Sequence, residues 1–201
     1  MIYADLHVHT TYSSDSSILP KILVERLISH SFVKVAAVTD HDTVKACSIT
    51  KQLAAVYPDI LIVPGIEIAT PVGDVLVLGA EETPPKPWTV QNVVDFAKEN
   101  DLVSVAAHPY REYGMGEEAK KQRFDAIEVV NGGASTSENE QARHLARLLD
   151  LPGTGGSDAH RQQDLFNGYT EIQAGLSVDE ILHAIKKGLT KAVQTGTSIR
   201  F

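Results

Sequence analysis

At 201 residues, 43% hydrophobic and 22% charged, the chain has the profile of an ordinary globular domain with enough apolar residues for one sizeable core. A net charge of −8 without any dense Lys/Arg run argues against a broad nucleic-acid-binding face. The single cysteine, Cys47, excludes an intramolecular disulfide and a thiolate metal site, and reads as a small buried residue on a helix.

The first stretch, Ile2 to His9, reads as a strand with no basic and apolar leader before it. No apolar run approaches the ~18 residues that span a bilayer, so a cytoplasmic location is expected. Further β-branched runs predict strands at Val35–Thr39, Ile60–Ile68, Val75–Leu78, Val103–Ala107, Ala126–Val130 and Thr170–Gln173. Helical patterns lie between them. One starts at Pro20, and others cover Val44–Val56, Val90–Asn100, Glu138–Leu149 and Ser177–Gly188. Ser177 and Glu180 stand in capping-box spacing. The polar stretch Tyr110 to Arg123 reads as a surface loop with room for a helical turn. Alternating strands and helices predict a parallel α/β sheet, open or closed. The short connection between Ile68 and Val75 leaves room only for a hairpin.

Ionisable residues recur at the ends of these strands. In Asp5-Leu6-His7-Val8-His9, residues two apart share a face, so the two imidazoles project together. Asp15 follows in a serine-rich loop. Later runs deliver Asp40-His41-Asp42, Glu67, His108, Glu128, and Asp158 with His160. Strand ends chosen for stability alone would not repeatedly carry such groups. The C-terminal ends of parallel strands are where α/β active sites lie. A histidine and carboxylate set without thiolate suits Zn²⁺, Mn²⁺ or Fe²⁺, and its size calls for two to three ions. Clustered ions activate water and clamp the oxygens of an in-line displacement, chemistry that serves phosphoester hydrolysis and also amide hydrolysis. His30, His144 and His183 fall on helices and read as structural or solvated. Asp40 and Asp42 flank His41, where Asp40 could orient that ring or relay a proton. Asp5 reads as a support, and Glu128 and Asn131 as mouth residues or plain strand-end hydrogen-bonding groups. Arg111 and Arg161 are the best-placed cations for a substrate phosphate.

The motifs Asp5-Leu6-His7-Val8-His9-Thr10, Thr39-Asp40-His41-Asp42, Gly65-Ile66-Glu67-Ile68, Ala107-His108-Pro109 and Gly156-Ser157-Asp158-Ala159-His160 resemble, in order, those of the PHP (polymerase and histidinol phosphatase) superfamily. The resemblance spans residues 5 to 160. It implies a single PHP domain over 1–201, folded as a distorted (β/α)7 TIM-like barrel with its metal site at the C-terminal ends of the strands. It also implies a metal-dependent phosphoesterase working through a hydroxide shared by the ions. The ligands it implies are His7, His9, Glu67 and Asp158 for one ion, Glu67 and His108 for a second, and Asp15, His41 and His160 for a third. Asp40 and Glu67 would serve catalysis, and Arg111 and Arg161 the substrate. Many members carry a further histidine in the strand after the glutamate motif. Leu76 is aligned with it here, so the second site is expected to be short of a ligand. The expected substrate is a small phosphorylated metabolite or nucleotide. The alternatives are an exonuclease on short single-stranded oligonucleotides and a metal-binding module without catalysis.

Overall fold

The computed structural model describes residues 1–195; the last residues of the expected domain, 196–201, lie outside the described residues. The elements run β1 (Ile2–Val8), α1 (Pro20–Ser29), β2 (Val35–Val38), α2 (Lys45–Ala54), β3 (Leu61–Ala69), β4 (Asp74–Leu78), α3 (Val90–Glu99), β5 (Val103–Ala106), β6 (Ala126–Asn131), α4 (Thr136–Leu149), β7 (Gly153–Gly156), β8 (Gly168–Ile172), α5 (Val178–Lys186) and β9 (Thr190–Gln194). They form one nine-stranded sheet ordered β7-β6-β5-β4-β3-β2-β1-β8-β9, curled into a nearly closed α/β barrel. β1, β2 and β3 are parallel, as are β5, β6 and β7. β4 runs antiparallel to both β3 and β5, the hairpin expected from the short connection. Among the described residues, no helix is long and apolar enough to cross a membrane.

Side-chain alternation sorts the strands into an inner and an outer face. The inner cluster takes Ala4 and Leu6 from β1, Val35 and Ala37 from β2, Val63 from β3, Leu76 and Leu78 from β4, Val103 and Val105 from β5, and Ala126 from β6; Ile181 and Ile185 of α5 close it. Two outer clusters pack the other faces against α1 and α2, and against α3 and α4. Continuing the inward positions towards the mouth gives Glu67 above Val63, Asp74 beyond Leu76, and Glu128 above Ala126. The barrel is apolar at its floor and ionisable at its rim.

The barrel closes between β1 and β7. β8 pairs antiparallel with the lower part of β1, from Ile2 to Ala4. The upper part of β1 meets the chain leaving β7: Asp158 N–H donates to the His7 carbonyl (2.8 Å) and His9 N–H to the Ala159 carbonyl (3.1 Å). A Cβ at Gly156 would collide with Cβ of His7, so only glycine allows this approach. The Asp5 carboxylate, fully buried, locks the seam by accepting from Ser157 N–H (2.8 Å) and Phe166 N–H (3.1 Å). Burial pushes its pKa up to about 6 in spite of these donors. Asp5→Ala leaves these two buried N–H groups without their acceptor and removes the longer bond from His7 N–H (3.4 Å), and the chelator-treated protein is expected to lose about 2–4 kcal/mol in urea unfolding. Asp5→Asn, which keeps one acceptor oxygen, is expected to lose less.

Two strands, β7 and β9, go beyond those expected from the sequence, the first because glycine runs carry little strand propensity. α4 starts at Thr136 behind a complete capping box of Ser135 and Glu138. At α5, Ser177 caps as expected, but the Glu180 carboxylate turns to Gly175 N–H (2.9 Å) and the Ser177 hydroxyl (3.2 Å) rather than to the Ser177 backbone. The loop after Tyr110 contains a 3-10 turn at Gly116–Lys121. Cys47 is buried on α2 as expected.

Candidate metal centre

Parallel strands β1, β3, β5 and β7 point their C-terminal ends at one mouth, and all eight expected ligands lie there. Nε2 of His7 and Nε2 of His9 approach to 3.0 Å on two fully buried rings. Glu67 Oε2 lies 3.3 and 3.1 Å from these nitrogens, and Asp158 Oδ1 lies 3.4 and 3.2 Å from them. Four donor atoms therefore converge on one point. The other oxygen of Glu67 is 3.1 Å from His108 Nε2. Glu67 Oε2 also lies 3.0 Å from His41 Nδ1. Asp15 Oδ2 lies 3.5 Å from His41 Nε2 and 3.2 Å from His160 Nε2.

The donor set fits divalent cations. It contains imidazole and carboxylate only, converging in a space closed to solvent on the β1 side. Glu67 Oε2 is buried yet makes no hydrogen bond among the described residues, and neither does His108 Nδ1. An orphaned buried carboxylate oxygen facing several ring nitrogens is satisfied by a cation between them.

Sequence reasoning passes over Asp74. Its carboxylate joins Glu67 and His108 in a group able to hold an ion, with Oδ2 4.0 Å from His108 Nε2. Leu76 pairs across the hairpin with Glu67, but it is 1% exposed and belongs to the inner core. Leu76 offers no donor, but Asp74, two residues earlier on the same inward face, stands at the mouth beside Glu67 and His108. Because β4 is antiparallel, its mouth residue lies at its start, and a search of strand C-termini does not find it.

Outer partners hold these rings in place. Glu128 Oε1 lies 3.0 Å from His7 Nδ1, and its Oε2 accepts from His108 N–H (2.8 Å) and the Asn131 amide (3.1 Å). One carboxylate thus orients two ligand-bearing segments. Asp40 stands elsewhere than expected. Its fully buried carboxylate accepts from Thr10 N–H (2.6 Å), the Thr10 hydroxyl (2.7 Å) and the Ser13 hydroxyl (2.8 Å). Ser13 Oγ in turn lies 3.1 Å from His9 Nδ1 and accepts from His41 N–H (3.0 Å). Asp40 therefore acts through Ser13 as a positioning residue, and the direct bond to the His41 ring expected from its place in sequence is absent. Asp42 accepts from Ala69 N–H (3.0 Å), fixing the end of β3.

Arg111 donates to Asp158 Oδ2 and to Asn131 Oδ1 (3.2 Å), so one of its partners is itself a candidate ligand. Arg161 is exposed, and its side chain makes no hydrogen bond or ion pair among the described residues; it lines a second cavity of ≈ 460 Å³ beside His160. His30 ends α1 and accepts from Val33 N–H (2.9 Å), while His144 and His183 are exposed on α4 and α5.

Without metal the cluster is a buried network of opposite charges. Burial alone would lower the pKa of His7, but Asp158, Glu128 and Glu67 hold it well above the usual range. The same opposition, won by carboxylates, raises His9 and His108 and takes His41 to about 9. Burial would raise Glu67 and Asp158; the histidines around them bring both well below normal. Asp74 goes the other way, to about 6, through burial and the neighbouring Glu67 charge.

Residues 136–190, from α4 to the start of β9, match the family model described as PHP-associated. An uncharacterized protein of Methanocaldococcus jannaschii is 29% identical over 140 residues, covering 64% of this chain and 81% of its own. Among solved structures, a two-domain protein of Bacteroides vulgatus containing a predicted PHP-like metal-dependent phosphoesterase superposes with a TM-score of 0.81 at 18% identity. That match takes in 96% of this chain and 64% of the other, so the chain spans under two-thirds of that protein's length. An amidohydrolase of Chromobacterium violaceum, solved with sulfate and no metal, superposes with a TM-score of 0.69 at 16% identity over 94% of this chain and 97% of its own. Its five motifs in family order, its PHP-associated segment and this barrel together support the PHP superfamily as the family this chain resembles.

Proposed function

We propose that the protein is a metal-dependent phosphoesterase that hydrolyses a phosphate ester of a small metabolite or nucleotide, using two to three divalent ions (Zn²⁺, Mn²⁺ or Fe²⁺). The observation that carries this reading is a cavity of ≈ 300 Å³ at the mouth, into which Asp15, His41, Glu67, Asp74, His108, Asp158 and His160 all face. The cavity has the size of a small-ligand site rather than of a polymer groove. His7, His9, Glu67 and Asp158 would hold one ion, Glu67, His108 and Asp74 a second, and Asp15, His41 and His160 a third. When bound, such ions neutralise phosphoryl oxygens and activate water as Lewis acids.

The protein's own groups orient and select. Glu128 and Ser13 fix the His7 and His9 rings before substrate arrives. Arg111, at the cavity wall, can move from Asp158 to an outer phosphate oxygen once Asp158 is neutralised by an ion. Arg161 is the second cation within reach of a substrate extending past His160. An acyl substrate would meet the same donors, so reaction class is decided by assay.

The test loads purified protein with Mn²⁺, Zn²⁺ or Fe²⁺ and offers an aryl phosphate, nucleotides, short oligonucleotides and simple amides. Chelator-sensitive release of inorganic phosphate from monoesters is expected. Rates that climb with oligonucleotide length would favour the exonuclease reading, and turnover of amides alone would replace the ester. Fewer than two ions bound with no hydrolysis would point to a non-catalytic module.

Metal loading has its own pH signature. His7, held well above the usual range, and His41, raised to about 9, carry protons at neutral pH in the metal-free protein, and ligation requires the rings neutral. Loading is therefore expected to release protons, and affinity to weaken as pH falls. Titration calorimetry in buffers of different ionisation enthalpy reads both.

A further inference from the structure

The lining of the mouth cavity is ionisable except for Ala69 and one aromatic ring, Tyr113, which is 74% exposed at the rim. Its backbone is left-handed, with φ 63°, a conformation a bulky residue adopts only when its surroundings impose it. The surroundings do so here. Asp74 N–H donates to the Tyr113 carbonyl (3.0 Å), Gly114 N–H to the Arg111 carbonyl (2.9 Å), and Gly116 N–H to the Pro109 carbonyl (2.6 Å). The loop is also pressed flat against its neighbours. A Cβ at Gly73 would lie 2.5 Å from Met115 N, and one at Gly114 would strike the carbonyls of His108 and Pro109. The segment from Pro109 to Gly116 is thus clamped onto two candidate ligand positions, His108 and Asp74. It presents a ring that packs against nothing in the core, two residues from Arg111.

We infer that Tyr113 is a stacking platform for the leaving group, so that the substrate is a phosphate ester carrying a flat ring, either a nucleobase or an aryl group. This rests on the phosphoesterase reading above and narrows its substrate class. With the phosphate drawn to the metal end of the cavity, the ring at the rim is, among the described residues of the lining, the one extended apolar surface left for the remainder of the molecule. Stacking on an aromatic side chain is tolerant of which ring is offered, and its backbone is already fixed before binding.

The test is equilibrium binding to the Mn²⁺-loaded protein by titration calorimetry, with the non-hydrolysable phosphonate analogues of adenosine monophosphate, phenyl phosphate and glycerol phosphate, and inorganic phosphate, as probes. Tyr113→Ala is expected to weaken the ring-bearing probes about tenfold. The glycerol phosphate analogue and inorganic phosphate should stay within about twofold, and Tyr113→Phe should bind like the parent. Loss confined to the adenosine monophosphate analogue would assign a nucleobase, and loss confined to the phenyl phosphate analogue an aryl group. An equal loss for all four probes, or no loss for any, overturns the platform while leaving a phosphoesterase that binds the glycerol phosphate analogue intact. A parent protein that binds no monoester analogue overturns both.

Discussion

Glu67→Gln is expected to abolish hydrolysis and to remove metal from more than one position at once. Its two oxygens serve different neighbours: Oε2 faces His7, His9 and His41, and Oε1 faces His108. The amide keeps the shape of the side chain but loses its charge and replaces one acceptor by a donor. Loss of an outer partner of a metal ligand typically costs about 10–100-fold in affinity or activity, and Glu67 is proposed as a ligand itself, so the effect should exceed about 100-fold. Two controls bound the result. Asp74→Ala touches only the His108 end and should cost at most one ion. His144→Ala, on the exposed face of α4, should change neither metal content nor rate. Elemental analysis beside phosphate release checks all three. A Glu67→Gln protein with parental metal content would refute the shared-ligand arrangement.

Glu128→Gln is expected to be the largest effect from a residue that ligates nothing. Its carboxylate meets His7 Nδ1 on one side and His108 N–H on the other. A carboxylate at Nδ1 fixes the ring so that Nε2 points into the cluster, and it raises the basicity of the ligand nitrogen. The neutral amide can still bond the ring but no longer supplies charge. Metal affinity and kcat/KM should fall together by about 10–100-fold. KM measured at saturating metal should move little, since Glu128 is 1% exposed and lines neither cavity. A fall in substrate affinity with metal affinity unchanged would mean that Glu128 shapes the substrate site instead.

The residues that meet at the mouth from parallel strands are legible in the amino-acid sequence. A parallel strand buried on both faces reads as a short apolar run, and its C-terminal end must face the mouth. His7, His9, His41, Glu67 and His108 announce themselves by position along such runs, and periodicity alone carries that much. The motif Gly156-Ser157-Asp158-Ala159-His160 does the rest for Asp158 and His160, and the family resemblance for Asp15, whose loop has no pattern of its own.

What only the tertiary structure decides concerns long-range pairing. The short connection announces that β4 runs back along β3, but nothing in Asp74-Val75-Leu76-Val77-Leu78 states that its first residue will stand at the mouth beside Glu67 and His108. Leu76, on the same inward face, lies one layer below the mouth in the inner core. Glu128 and His7 are 121 residues apart in sequence, and their contact exists only once β6 and β1 curve round the same axis. Asp40 reads as a partner of the adjacent His41, yet the backbone turns it towards Thr10 and Ser13. β7 is unreadable because its glycines serve the closure of the barrel against His7 rather than strand propensity. Local chemistry writes which groups a strand end carries; which of them touch is set by how the sheet closes, a property of the whole chain.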